Sequence, residues 1–451
     1  MPPAPQILPV PNPVPSYWLT PPSKHARLRS TSTLPQSCTI TIIGSGMAGV
    51  LTVYHLLQSA NPPSILLLEA RDLCSGATAR NGGHVKIKTA TLAGLSGNSE
   101  RNALQTYVRR VMSDLARIVE SEGMGDECEF ELRKSWDVFL DEEEFERIKG
   151  VYDDAKGKEE AWTGHVRCVG SDNAARETSI KDAVGAFESE IASLWPYRFV
   201  TGLVDRMLVR YPERLNVQTN TPVTHMEEIA QGTLLTTPRG TLTTEKVVFA
   251  TNAWTAGLLD AFKDTITPVK GMACHIRPSR HVDVHLSNTY NIHFAPASST
   301  GVDYLNPRPD GGIVVGGGAW FFKAHEALWK GNFDDSVRFA AGVERHWTGE
   351  YMQKTFQGWE DSAASPDCIW TGIMGVTRDG KAHIGRVPGR TKKQHWMLAG
   401  FNGGGMSLIA TASRAVAKMV VEDLEYEDVS AEFGLIEGWG TDVERMEEDT
   451  S

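Results

Sequence analysis

The chain has 451 residues, of which 41% are hydrophobic, 22% charged and 42 glycine, the composition of an ordinary globular protein of about two or three domains. Its 56 acidic and 45 basic side chains leave a formal charge of −11, which gives no support to nucleic-acid or anionic-membrane binding. No apolar run approaches the roughly 18 residues that cross a bilayer, and six scattered cysteines without a C-x-x-C pair read as free thiols in a reducing compartment, with no metal centre.

The first 35 residues carry prolines at 2, 3, 5, 9, 11, 13 and 15, which remove backbone donors and disfavour helix. This arm is expected to be extended along the surface, with Tyr17 and Trp18 as anchors, or to be disordered. It lacks the basic and apolar regions of a secretory signal. The last residues are not a peroxisomal address, so the cytoplasm is the expected location.

Residues 39–70 organise the rest of the chain. A β-branched run, 39–43, leads into glycines at Gly44, Gly46 and Gly49, then a helical pattern, then a second apolar run, 64–68, that ends on Glu69. This is the G-x-G-x-x-G spacing of a strand-turn-helix unit for a dinucleotide. Gly44 permits the tight turn, Gly46 lets a pyrophosphate approach the backbone, and Gly49 lets the helix pack on the sheet. The phosphates would then sit at a helix N-terminus. A carboxylate at Glu69 would accept hydrogen bonds from both ribose hydroxyls and repel a 2′-phosphate, which favours FAD or NAD over NADP.

Beyond it, residues 71–88 are too rich in small side chains for a core element and read as a loop crossing an extended ligand. Apolar spacing predicts helices over 102–122, 142–151, 197–211, 334–348 and 407–422. Strands are expected at 135–140, 216–219, 221–226, 234–237, 245–250 and 396–399. The runs 266–278, 290–295, 303–306 and 312–317 read as successive antiparallel strands, and 155–190 carry no clear pattern. Two loops stand out: 251–254, a strand-to-small-residue turn, and 400–406, whose glycines at a helix start cost enough backbone entropy to imply a close ligand.

Four motifs, GSGMAG with Glu69, SGATARNGGH, VVFATNAW, and WTGIMGVTRDGKAHIG with AGFNGGGM, make the chain resemble the D-amino-acid-oxidase-like superfamily of FAD-dependent oxidoreductases over about residues 38–420. The second motif is similar to the γ-glutamylputrescine oxidase-like branch, and the SYWL arm to its fungal members. The resemblance implies an α/β protein: a Rossmann-like FAD domain from 36–98, 190–262 and 360–425, and an α+β substrate domain on an antiparallel sheet from 99–189 and 263–359. An acidic tail, 426–451, would follow.

By motif, the resemblance implies that Gly44, Ser45, Gly46, Met47, Ala48 and Gly49 hold the pyrophosphate, and Glu69 and Ala70 the ribose and adenine. Ser75, Arg80, Asn81, Gly82, Gly83 and His84 would run beside the pyrophosphate and flavin ring. Val223 would meet the adenine, Ala250, Thr251 and Asn252 would line the cofactor, and Phe401, Asn402, Gly403, Gly404, Gly405 and Met406 would sit at the flavin pyrimidine edge. There, amides at a helix N-terminus would stabilise charge that develops on hydride transfer to flavin N5. The implied reaction is oxidation of a C–N bond of an amine or amino acid, with imine hydrolysis and reoxidation by oxygen. Gly372 stands where sarcosine-oxidase-like relatives attach flavin through Cys, so FAD is expected to be noncovalent. The strand that carries their oxygen-activating Lys holds none here, which leaves open a dehydrogenase with another acceptor, or a non-amine substrate.

His84, Tyr304 and Lys270 are the candidate catalytic residues: His84 orients substrate or tunes the flavin, Tyr304 shares a strand face with Asn306, and Lys270 is an alternative cation for oxygen. Each is weighed against a plain packing role. Trp136, Trp254, Trp320 and Trp370 are candidate pocket walls, and Arg308 a candidate partner for a substrate carboxylate. Expected partners are a small-molecule substrate and an electron acceptor, with no nucleic acid, membrane or metal. A monooxygenase is disfavoured by the lack of a second nucleotide fingerprint, and a scaffold with structural FAD remains a rival.

Overall fold

In the computed structural model, which describes residues 6–283, 285–294, 301–389 and 394–450, two sheets share the chain. The first is centred on Ser37–Ile43, with Ile65–Leu68 and Gly240–Phe249 parallel on either side. Leu215–Gln218 extends one flank and His395–Ala399 the other, closed by antiparallel His383–Arg386. All four residues of Ile65–Leu68 are buried, as a strand covered on both faces requires. The helix Met47–Leu57 buries ten of its eleven residues because Ile409–Glu422 and Pro196–Arg210 cover it from outside. Its sequence is correspondingly apolar all round.

The second sheet has nine strands. Ser365–Thr377 pairs along its length with Ile266–Arg277. Ile313–Gly317, Val302–Pro307, Thr289–His293, Glu131–Phe139, Gly185–Ser193 and His84–Val85 then follow in spatial order. The runs expected as successive neighbours are adjacent, but Ile266–Arg277 pairs with Ile313–Gly317 and skips Thr289–His293, which is held parallel to Glu131–Phe139 instead. Residue 295, the expected end of one of these runs, lies outside the described residues.

Several boundaries differ from the sequence expectation. Gly185–Ser193 lies next to the end of the second sheet, between Glu131–Phe139 and His84–Val85, although its sequence shows no alternation. Glu188 interrupts the pattern, and it is buried because Lys134 and Arg167 pair with it at 2.9 and 3.1 Å. The expected helix over 334–348 begins only at Ala341–Thr348. The side chains of Asn332 and Asp334 accept from backbone amides two residues on, turns that compete with helix. The strand expected over 221–226 starts at His225–Ile229, and the helix after the 400–406 loop starts at Ile409, behind a 3-10 turn, Gly405–Ser407. Residues 426–439, read as part of an acidic tail, pack down instead: Tyr426 donates to the Ile436 carbonyl at 2.6 Å and Trp439 sits edge-on to Tyr107. Among the described residues, no helix is long and apolar enough to cross a membrane, and no cluster of His, Cys, Asp or Glu could hold a metal.

Candidate functional site

A cavity of about 1440 Å³ runs between the two sheets, larger than the roughly 300–1,000 Å³ of a site for one small ligand. Its first end is the glycine loop. Gly44 has φ +108°, and a Cβ there would meet the Ala250 carbonyl oxygen at 2.5 Å; a Cβ on Gly49 would lie 1.9 Å from the Gly44 carbonyl oxygen. Gly49 therefore serves the helix packing and does not line the cavity. The helix N-terminus has Gly46 as its cap with no side-chain partner, while Thr78 accepts from the Met47 amide at 3.0 Å.

Glu69 accepts from the Ser45 amide and hydroxyl at 2.9 and 2.7 Å and from the Arg71 amide at 2.9 Å. Ser45 is thereby a buried brace and not a wall. A carboxylate has about four acceptor sites, so Glu69 keeps capacity toward the cavity it lines. Ala70, Val223, Ala250 and Thr251 line the same end. The glycine cradle, the helix end, the acid and the length of the cavity fit a dinucleotide of FAD size.

The loop 71–83 is held from behind. Arg71 donates to both carboxylate oxygens of buried Asp335 at 2.8 and 3.0 Å, and Arg80 donates to the Ser75 and Thr371 carbonyls at 3.0 and 2.7 Å. Burial pulls Arg80 down to about 10, opposed by Asp335. Of the residues expected on this loop, Arg80, Asn81, Gly82 and His84 line the cavity, while Ser75 and Gly83 do not; Gly83 is pressed against Trp18, which would lie 2.6 Å from a Cβ there. On the far side, Asn252 and Asn402 adopt φ +44° and +52°, the left-handed region that asparagine tolerates. The Asn252 side chain accepts from the Gly400 amide at 3.0 Å, and that of Asn402 from the Thr377 amide at 2.8 Å. Phe401, Asn402, Gly403, Gly404, Gly405 and Met406 all face the cavity.

The candidate catalytic residues His84, Tyr304 and Lys270 also line it. His84 and Tyr304 meet edge to face at 5.4 Å. Burial, reinforced by Lys86, Arg133 and Arg308, holds His84 far below its ordinary value, so its imidazole is neutral. Tyr304 lies over Gly316, where a Cβ would approach its hydroxyl to 2.0 Å. Lys270 is buried with its ammonium 4.9 Å from the Phe339 ring, and burial lowers its pKa. Asn306, on the same strand face as Tyr304, instead donates to the Gly82 and Gly83 carbonyls at 2.8 and 3.2 Å and so braces the glycine loop. Arg308 is no solvated cation: it is buried, paired with Glu129 and lies 5.3 Å over the Trp18 ring. Of the four tryptophans, Trp254 alone lines the cavity.

The sequence reading missed Lys86. Its ammonium donates to the Ser135 hydroxyl and the Tyr290 carbonyl, both at 3.0 Å, and burial draws it down to about 7 against the pull of Asp137. The signal was its place two residues after His84 on an extended segment, which gives both the same face. Among the described residues no cysteine lines the cavity, whereas Gly372 does.

A family model described as "FAD dependent oxidoreductase" (DAO) matches residues 39–419. No curated protein matches the chain in sequence. Among solved structures, glycine oxidase from Geobacillus kaustophilus is similar with a TM-score of 0.69 at 18% identity, over 89% of this chain and 99% of that one. L-Proline dehydrogenase from P. horikoshii gives 0.65 at 18%, over 86% and 95%. Dithionite-reduced L-α-glycerophosphate oxidase from Mycoplasma pneumoniae, with FAD bound, gives 0.63 at 13%, over 86% and 95%. At such identities the likeness is one of fold; the family match extends through the glycine loop, the acid after it and the 400–406 turn alike, and this chain belongs to the DAO family of FAD-dependent oxidoreductases.

Proposed function

We propose that the chain oxidises a C–N bond of an amine or amino acid that also carries an anionic group, and that oxygen is its electron acceptor. The observation that carries this is the basic lining away from the glycine loop, where Lys86, Lys88, Lys270, Lys323 and Lys381 outnumber Glu100, Asp379 and Glu437. Lys86 spends two of its three donors on Ser135 and Tyr290, which leaves one N–H for a guest. A carboxylate bound there gains a charge-assisted hydrogen bond. The same cations disfavour the ammonium form of the substrate and so keep its nitrogen neutral, the state from which the adjacent carbon can release hydride. Neutral His84 and Tyr304 add a wall that excludes water. Bound FAD, noncovalent in this reading, supplies the two-electron acceptor, and water hydrolyses the product imine. The SGATARNGGH motif supports the γ-glutamylputrescine oxidase-like branch as the finer placement, and free thiols support the cytoplasm.

The test is an anaerobic panel of amines added to the yellow protein, followed by absorbance. Amines bearing a carboxylate should bleach the flavin, and Lys86→Met should weaken their binding about tenfold or more while leaving uncharged amines nearly unaffected. Affinity for the anionic class should fall as pH rises through about 7, where Lys86 loses its charge. Flavin that no amine bleaches sinks the C–N reading. A second reading, a dehydrogenase or an enzyme of a non-amine substrate, is favoured by the strand Ile313–Gly317, which carries no lysine and is covered by Tyr304. Turnover without peroxide release decides for it.

A further inference from the structure

The N-terminal arm follows the phosphate loop step for step. Gln6 donates to the Thr224 and Gly257 carbonyls at 2.8 and 2.9 Å, beside the expected adenine contact Val223. Leu8 and Pro9 line the cavity itself. The Val10 carbonyl accepts from Arg71 at 3.3 Å, and that of Val14 from Arg80 at 2.9 Å. Ser16 donates to the Ala79 carbonyl at 2.6 Å, and the Trp18 indole to that of Asn81 at 2.7 Å. Trp18 is fully buried and fixes the far end. The two arginines that hold the loop thus hold the arm as well, through the same guanidinium groups.

We propose that residues 6–18 are the outer wall of the cofactor site, a strap that must lift from the adenine end before FAD enters or leaves. Leu8 and Pro9 cover the dinucleotide with apolar surface, and Trp18 is the hinge-side anchor about which the proline-rich segment swings. Prolines suit this task, since a chain already confined to extended backbone loses less entropy on docking.

Two variants test it. Deleting residues 1–9 removes the wall and spares Arg71, Arg80 and the Trp18 anchor. Gly257→Val leaves the chain at full length but sets a Cβ 1.9 Å from the Ile7 carbonyl oxygen, and its three nearest neighbours are all atoms of Ile7, so the arm must rise. The readout is the release rate of FAD, followed by recovery of flavin fluorescence on dilution, with far-UV circular dichroism to verify the fold. Both variants should release FAD roughly tenfold faster or more, and in the unaltered protein FAD should slow proteolytic cleavage within residues 6–15. Release at the unaltered rate from folded Gly257→Val protein, or cleavage of the arm indifferent to FAD, overturns the proposal. Neither outcome depends on which substrate is oxidised.

Discussion

Glu69 receives two donors from Ser45 and one from Arg71, so a single carboxylate shapes the turn while it lines the cavity. Glu69→Arg should strip FAD from the purified protein, since it replaces an acceptor by a cation and orphans three donors at about 1–3 kcal/mol each. The ratio of flavin to protein absorbance checks this, and full occupancy would remove Glu69 from the site. Its place at the cavity was legible because a fixed spacing after a strand carries it. Arg308 was not: its partners Glu129 and Trp18 lie 179 and 290 residues away in sequence, and a turn nearby gave the wrong cue. Lys86 was hidden likewise, because the run Lys86-Ile87-Lys88 looks like a solvated segment until Ser135 and Tyr290 are brought to it from the second sheet.

Elements were read best where one strand or helix declares its own environment. The apolar runs at 39–43 and 64–68 belong to strands buried on both faces, and the alternation or length of 266–278 belongs to the strand that joins Ser365–Thr377 to the rest of the second sheet. Pairing was harder, because nothing local tells Ile266–Arg277 to skip its neighbour in sequence. Gly185–Ser193 was invisible, since its acids are satisfied by bases on other elements. A very close fit is at Gly49, where the helix meets the turn after the strand through the Gly44 carbonyl. Gly49→Ala should push them apart and cost about 1–3 kcal/mol, read as a lower urea midpoint with weakened FAD binding. An unchanged midpoint would mean that the helix can slide without loss.

At the scale of the molecule, half-buried His55 and buried His293 and His383 contribute to the acid limit. Burial lowers His55 and His293 to about 4 and His383 to about 3, against an unfolded value near 6.5. The native state keeps them neutral while the unfolded chain takes up protons first, so their contribution is intact above about 6.5 and is lost as pH falls toward 4 and 3. The melting temperature should therefore fall steeply between pH 6.5 and 4, and His293→Phe, beside the stacked ring of Phe139, should flatten that fall. A melting curve indifferent to pH across this window would count against all three. The overall architecture was legible because its motifs come in order; the arm was left between surface and disorder because its docking partners are spread from Arg71 to Asp335. That spread has a consequence for biosynthesis. The arm is made well before Gly257 and Asp335, which receive it and follow hundreds of residues later. The arm therefore cannot settle until those later segments have been made and folded.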